Sequence, residues 1–241
     1  MQTTSSPTRY TGDVVSGGAS DVRELPGLVI RKASVGPMDN NAYLLTCTKT
    51  GARLLIDAAN DAPRLIELLT EDGAAAQLEM IVTTHQHYDH HGALEQLVAE
   101  TAARTAAGSE DADALPVSPD VSLVDGDVIS FGDVSLDVIG LRGHTPGSVA
   151  LAYEVPYDYV AGADDDEWSQ PRAPHIFTGD SLFPGGVGKT QSPADFQQLF
   201  ADVSERLFER YGDAWIYPGH GSDTTLAAER PALPDWQQRG W

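Results

Sequence analysis

A chain of 241 residues with 41% hydrophobic and 7% aromatic residues can bury a core of its own, which excludes an intrinsically disordered protein. Its 36 acidic against 15 basic side chains give a formal net charge of -21, a field that repels phosphate backbones and anionic membrane surfaces and so excludes nucleic-acid and membrane partners from the expectation. A lone cysteine, Cys47, rules out an internal disulfide and fits a reducing, cytoplasmic setting, and its place in a predicted strand makes it a buried structural thiol.

Residues 1–27 are rich in Ser, Thr and Gly without sustained periodicity and are expected to form a flexible N-terminal arm, with 28–241 as a single domain. The arm lacks the apolar core of a signal peptide, and no run in the chain approaches a membrane span. Apolar runs at 28–33, 42–48 and 53–56, separated by Gly-Pro and Thr-Gly turn signals, predict an antiparallel meander. Leu65, Ile66, Leu68 and Leu69 have helical spacing behind Pro63, so a helix is expected over 61–70, followed by a buried strand over 80–84. A second helix over 91–101 uses Ala93, Leu94, Leu97 and Val98, and a strand and loop then lead to Pro119.

A further block of strands is expected at 121–124, 128–131 and 134–140, divided by the turn signals Asp125-Gly126-Asp127 and Gly132-Asp133. Strands at 149–155 and 175–178 flank a stretch, 154–174, that carries Asp158, Asp164, Asp165, Asp166 and Glu167 and is expected to be an acidic surface insertion. The clearest helix covers 192–211, with Ser192 as N-cap, Pro193 at the first helical position and an apolar stripe through Phe196, Leu199, Val203 and Leu207. A strand at 214–217 and a short helix at 222–230 follow. Strands and helix, then strands and helix again, suit two facing sheets with helices outside.

The chemistry is concentrated at the strand ends. In an extended segment side chains alternate, so His85 and His87 of His85-x-His87-x-Asp89-His90 point the same way and can share one metal. Asp89 and His90 come as the chain turns into the next helix and can aim at a second point. His144, Asp180 and His220 each occupy a Gly- or Pro-flanked turn beside a strand, in Gly143-His144-Thr145-Pro146-Gly147, Thr178-Gly179-Asp180-Ser181 and Pro218-Gly219-His220-Gly221. Imidazole and carboxylate donors without a thiolate suit zinc, iron or manganese.

This motif set resembles the metallo-beta-lactamase-fold hydrolases, and within them the short glyoxalase II-like (hydroxyacylglutathione hydrolase-like) branch, over residues 28–230. The resemblance implies an α/β (α+β) fold, the four-layer αβ/βα sandwich, and two divalent metal ions, with zinc first and iron or manganese as alternatives. It assigns His85, His87 and His144 to one ion and Asp89, His90 and His220 to the other, with Asp180 bridging. Asp57 would orient a ligand or its turn. The implied reaction is attack of a bridging hydroxide on an acyl carbon of a small-molecule substrate, a thioester first, with Asp89 or a metal-bound water managing the proton.

Phe183-Pro184-Gly185-Gly186-Val187-Gly188-Lys189 resembles the glyoxalase II segment that contacts glutathione, which makes Lys189 a candidate carboxylate clamp. Phe183 and Pro37-Met38-Asp39-Asn40-Asn41 are the expected substrate wall. Two departures bear on the thiol carrier: Val187 replaces the family's cysteine, and Thr190-Gln191 replace an aromatic pair. Few residues follow His220, without the helical C-terminal domain with which long members bind glutathione. Phe183 stands where a phosphate-binding loop ending in Gly188-Lys189-Thr190 needs glycine, so no nucleotide site is expected.

The same motifs leave other readings open. They are a mononuclear iron persulfide dioxygenase using His85, His144 and Asp180, a lactonase or beta-lactamase, and an inactive metal-binding protein. His91 is expected on the solvent side of the helix it starts, and His175 is expected to be structural. Oligomeric state is not legible.

Overall fold

A computed structural model describes residues 10–75, 77–155 and 173–240. The acidic insertion therefore lies largely outside the described residues, as does the start of the N-terminal arm. Two sheets face each other. The first has seven strands in chain order, β1 (Asp21–Leu25), β2 (Leu28–Val35), β3 (Asn40–Cys47), β4 (Arg53–Ile56), β5 (Met80–Thr83), β6 (Arg104–Gly108) and β7 (Val121–Leu123). The second joins β8 (Val128–Phe131), β9 (Val134–Gly140), β10 (Val149–Tyr153), β11 (His175–Gly179), β14 (Trp215–Pro218) and β15 (Thr224–Thr225) in the spatial order β15-β14-β11-β10-β9-β8. A two-stranded ribbon, β12 (Leu182–Phe183) and β13 (Gly186–Val187), lies between β11 and the next helix.

Strand periodicity divides the apolar side chains between layers. On β3, Tyr43, Leu45 and Cys47 enter the core between the sheets, while Ala42 and Leu44 face the opposite side. On β5, Met80 and Val82 point inward and Ile81 outward in the same way. The outer face of the first sheet is covered by α1 (Ala62–Leu68) and α2 (Leu94–Thr101) through Leu65, Leu68, Leu94 and Leu97. Asp61 caps α1, its carboxylate accepting from Arg64 N at 3.3 Å. The outer face of the second sheet is covered by α3 (Pro193–Val203) through Phe196, Leu199 and Val203. The Ser192 hydroxyl accepts from Asp195 N at 3.2 Å at the start of α3. The layers thus run helix, sheet, sheet, helix, the four-layer sandwich that the resemblance implies.

Several expectations need correction. Asp21–Leu25, assigned to the loose arm of 1–27, is strand β1, paired antiparallel with β2 from Asp21↔Lys32 to Leu25↔Leu28. Hydropathy misses it because its anchor is a cation. The Arg23 guanidinium lies 4.2 Å from the Tyr10 ring centre and 3.8 Å from that of Trp215, so two aromatic faces hold the edge strand. The antiparallel meander expected over 28–33, 42–48 and 53–56 is present as β2, β3 and β4; beyond it, β4 through β7 run parallel and need crossovers. Strand β7 belongs to the first sheet; the Asp125-Gly126-Asp127 turn carries the chain from one sheet to the other instead of closing a hairpin.

His91, expected toward solvent, is buried, with Nε2 at 3.1 Å from the Gln86 carbonyl. A tight turn over Tyr88–His90 delays α2 to Leu94 and tucks that ring under the loop. The long helix expected over 192–211 changes to π-type winding over Ser204–Glu209, still burying Leu207 and Phe208. A last helix, α5 (Leu233–Arg239, after the short α4 at Leu226–Glu229), was not foreseen. No helix among the described residues is long and apolar enough to cross a membrane.

His175 sits at the start of β11, away from the cluster. Its buried Nδ1 lies 2.7 Å from the Tyr217 hydroxyl, which also accepts from Arg23 Nη1 at 3.0 Å. The hydroxyl proton is therefore directed at Nδ1, which must stay unprotonated to accept it. Burial, with a further push from Arg23, lowers the imidazole to about 3. The unfolded chain binds this proton below about 6.5 and the native protein does not, so the contribution is complete above that pH and is lost on acidification toward 3. We expect about 1–3 kcal/mol of stability to be lost through this residue between pH 6.5 and 4.5. Denaturant unfolding across that range should be measurably less acid-sensitive in His175→Gln; an unchanged slope would assign the acid sensitivity elsewhere.

Candidate metal centre

All seven residues singled out from the sequence converge at one edge of the sandwich, where β5, β11 and β14 end and the turn after β9 approaches. Three donor sets are formed, each with atoms within 4.8 Å of one another: His85, His87 and His144; His85, His90 and Asp180; and Asp89, His90 and His220. The rings of His85, His87 and His144 are 4.5–4.8 Å apart between centres. In the other half, His90 Nε2 lies 3.2 Å from His220 Nε2 and 3.6 Å from Asp89 Oδ2, and His220 Nε2 is 3.3 Å from Asp89 Oδ2.

Asp180 stands between the halves. Its Oδ1 is 3.4 Å from His90 Nε2, and its Oδ2 is 3.5 Å from His220 Nε2 and 3.7 Å from His144 Nε2. Gly219 makes this approach feasible, since a Cβ there would lie 2.2 Å from Asp180 Oδ1 and 2.6 Å from His90 Cε1.

Imidazole orientation is set from behind. His90 Nδ1 meets Asp57 Oδ2 at 2.9 Å, His144 Nδ1 meets the Lys189 carbonyl at 2.7 Å, and His220 Nδ1 meets the Met38 carbonyl at 3.0 Å. His85 Nδ1 lies 3.0 Å from the Thr84 hydroxyl, which donates to Asp57 Oδ2 at 2.9 Å, while Thr84 N donates to Asp57 Oδ1 at 2.8 Å. Holding Nδ1 in this way turns Nε2 toward the centre, as a metal-ligating histidine requires. His85 Nε2 and His144 Nε2 are buried without any hydrogen-bond partner, as is Asp180 Oδ1. Buried polar atoms are seldom left so, and a cation among them would satisfy all three, so the residues present fit a metal.

The electrostatics divide along the same line. Burial lowers the His85 imidazole well below its ordinary value, with His90 and His144 adding to the effect. Burial also lowers His144, although Asp180 opposes it. For His90, burial pulls down, but Asp57 and Asp180 more than offset it and push the ring up to about 10. A cation held at His90 Nε2 would take the place of a proton. Asp89 and Asp180 are held below the usual carboxylate range despite burial, the first by the Asn40 amide and the second by His90.

The remaining expectations fall as follows. Asp57 is buried and braces His90 and Thr84. The Phe183 ring lies 6.5 Å from that of His220, at the rim of the centre. Lys189 has an exposed side chain and touches the centre through its backbone carbonyl. In the segment 37–41, which runs into the start of β3, Asn40 Nδ2 donates to Asp89 Oδ2 at 2.9 Å, and Asn41 N pairs with the Gly219 carbonyl at 2.7 Å. Asn40 is thus a partner of the centre, and sequence reasoning had it only as wall. A cavity of about 400 Å³ opens beside His87 and His144, lined by Gln86, Glu110, Arg142 and Gln191. Asp111 was not singled out at all: it follows two polar residues in a loop and has no periodicity to mark it as buried.

Comparison with known proteins agrees with this arrangement. The family model for the metallo-beta-lactamase superfamily matches residues 35–220. Hydroxyacylglutathione hydrolase of Polaromonas sp. (strain JS666) is 29% identical over 182 residues, 75% of this chain and 62% of that protein, so the chain spans less than two thirds of that relative. The crystal structure of BLEG-1 B3 metallo-beta-lactamase superposes with a TM-score of 0.70 at 21% identity, covering 86% of this chain and 99% of that one, a likeness of fold alone. That of TTHA1623 in a di-iron-bound form has a TM-score of 0.60 at 29% identity, covering 83% and 96% of the two chains. Because the family match takes in every residue of the centre, the chain belongs to the metallo-beta-lactamase superfamily.

Proposed function

We propose that the protein is a cytoplasmic metal-dependent hydrolase of small acyl compounds, thioesters first, with two divalent cations, zinc before iron or manganese. The observation that carries this reading is the placement of Asp180, whose carboxylate comes within 3.4–3.7 Å of His90, His220 and His144 and so belongs to both halves of the centre. His85, His87 and His144 would hold one ion, and Asp89, His90 and His220 the other. Such a pair of cations lowers the pKa of water and polarises a carbonyl oxygen.

The chain's own groups do the rest. Asp57, the Lys189 carbonyl and the Met38 carbonyl keep the imidazoles aimed inward. Asp89, steadied by Asn40, or a water held beside it would manage the proton that a water gives up on becoming the nucleophile. Phe183 walls the acyl group, the cavity beside His87 receives part of the thiol carrier, and the exposed Lys189 ammonium meets a carboxylate of that carrier. Thioesters come first because a thiolate leaves without strong acid assistance, and because the Polaromonas relative bears the name hydroxyacylglutathione hydrolase.

The test is hydrolysis of a panel of thioesters, lactones and beta-lactams, with oxygen uptake on persulfides, before and after chelation and reloading with zinc. We expect thioester cleavage that chelation abolishes and zinc restores. Oxygen consumption with a persulfide and no cleavage of any ester would replace this reading with a mononuclear iron dioxygenase.

A further inference from the structure

Asp111 is buried just beyond β6, and three donors fill its carboxylate. Oδ2 accepts from Gln86 N at 2.9 Å and from the Thr145 hydroxyl at 2.5 Å, and Oδ1 accepts from Gly147 N at 2.7 Å. Gln86 lies between His85 and His87, and Thr145 follows His144. One carboxylate therefore joins the two loops that supply the three-histidine set.

The loops are pressed together at this point. A Cβ on Gly147 would lie 2.4 Å from Asp111 N, and one on Gly108 would lie 1.8 Å from the Gly147 carbonyl oxygen. Asp111 precedes a short turn of helix at Ala112–Ala114 but makes no side-chain capping bond to it, so its oxygens are not spent on local structure. Asp57 has the same relation to the other half, bonding Thr84 and His90.

We propose that Asp111 is the positioning residue of the His85, His87 and His144 half of the centre, fixing the spacing of these three rings as Asp57 fixes His90. The proposal rests on the reading that those histidines bind a metal. Asparagine cannot replace it. Each carboxylate oxygen accepts from a backbone N–H, so whichever way the amide turns, its NH₂ faces one of those donors.

The test is titration of metal-free wild type, Asp111→Asn, Thr145→Val and Asp57→Asn with cobalt(II), followed by calorimetry and by the visible absorption of each bound ion. Wild type should take two equivalents. Asp111→Asn and Thr145→Val should weaken the three-histidine site by about 10–100-fold and alter its absorption, while the site that contains Asp89 keeps its affinity. Asp57→Asn, whose carboxylate holds His90 directly and His85 only through Thr84, should weaken the site that contains Asp89 more than the three-histidine site, an order that a general loss of structure would not give. If Asp111→Asn fails to fold, Thr145→Val, which removes one of the three bonds, decides the matter.

Wild-type affinity and absorption at the three-histidine site in both variants would overturn the proposal. A wild type that takes one equivalent overturns the two-metal reading, and Asp111 is then judged by whether the variants weaken that one ion. A wild type that takes none overturns both.

Discussion

Replacing Asp180 by asparagine is expected to lower kcat/KM for thioester hydrolysis by at least about 10³-fold, beyond the roughly 10–100-fold expected when only an outer partner of a ligand is lost. The reason is position. Among the described residues Asp180 is the carboxylate that comes near both halves of the centre, and asparagine keeps its size while removing the charge that two cations would share. Folding should survive, because Asp57 still faces His90 at 2.9 Å when the Asp180 charge is gone. Circular dichroism together with steady-state kinetics checks both parts. An Asp180→Asn enzyme within tenfold of wild type would mean that Asp180 does not join two metals.

The second large effect concerns stability. Lys32 is completely buried on β2, and its ammonium donates to the Gly12 carbonyl at 2.7 Å, the Gly221 carbonyl at 2.8 Å and Asp223 Oδ1 at 2.7 Å. It ties the segment before β1 and the loop after His220 to the first sheet. Burial raises the Asp223 carboxyl and Lys32 restrains that rise, so Lys32→Met leaves a buried acid without its counter-charge. We expect a loss of about 3–5 kcal/mol near neutral pH.

The sign with pH follows from the same shift. Without Lys32 the native protein holds the Asp223 proton to higher pH than the unfolded chain does, so the deficit grows as pH rises through that window and shrinks in acid. The double variant Lys32→Met/Asp223→Leu should recover most of the loss, since replacing both partners removes the uncompensated charge. Urea unfolding at pH 5 and pH 8 reads all three outcomes. A single variant with wild-type stability would reduce this ion pair to a neutral contact. Because Gly221 adjoins His220, Lys32→Met should also weaken metal binding at that side of the centre.

How much of this was legible beforehand follows from the kind of signal each residue carries. The strand ending at Thr83 could be located because apolar runs mark buried strands, and the cluster beyond it because alternation fixes which side chains share a side. Helix α3 announced itself by Ser192, Pro193 and a 3.6-residue stripe. Strand β1 did not, because what holds it is Arg23 between two rings supplied from residues 10 and 215. Nor could spacing show that β7 joins the first sheet: a turn signal at Asp125–Asp127 serves a hairpin and a crossing between sheets equally well.

Within the centre, residues whose chemistry is metal ligation stood out by type and by glycine-flanked position. The groups that aim them did not. Asn40 and Asp111 are ordinary loop residues in the sequence and become parts of the centre only when β3, β6 and the turn after β9 meet. Lys32, one of three lysines, gave no sign that it would be buried, since its partners lie at positions 12, 221 and 223. Long-range polar pairing of this kind has no period to detect.

The central claim is that one centre holds two cations through Asp180. Its most direct test is metal content per chain, by mass spectrometry after equilibration with zinc and removal of loosely bound ions, on wild type and Asp180→Asn side by side. Two zinc ions are expected in the wild type, with clear loss of the second in the variant. One ion in each, with equal affinity, would contradict it.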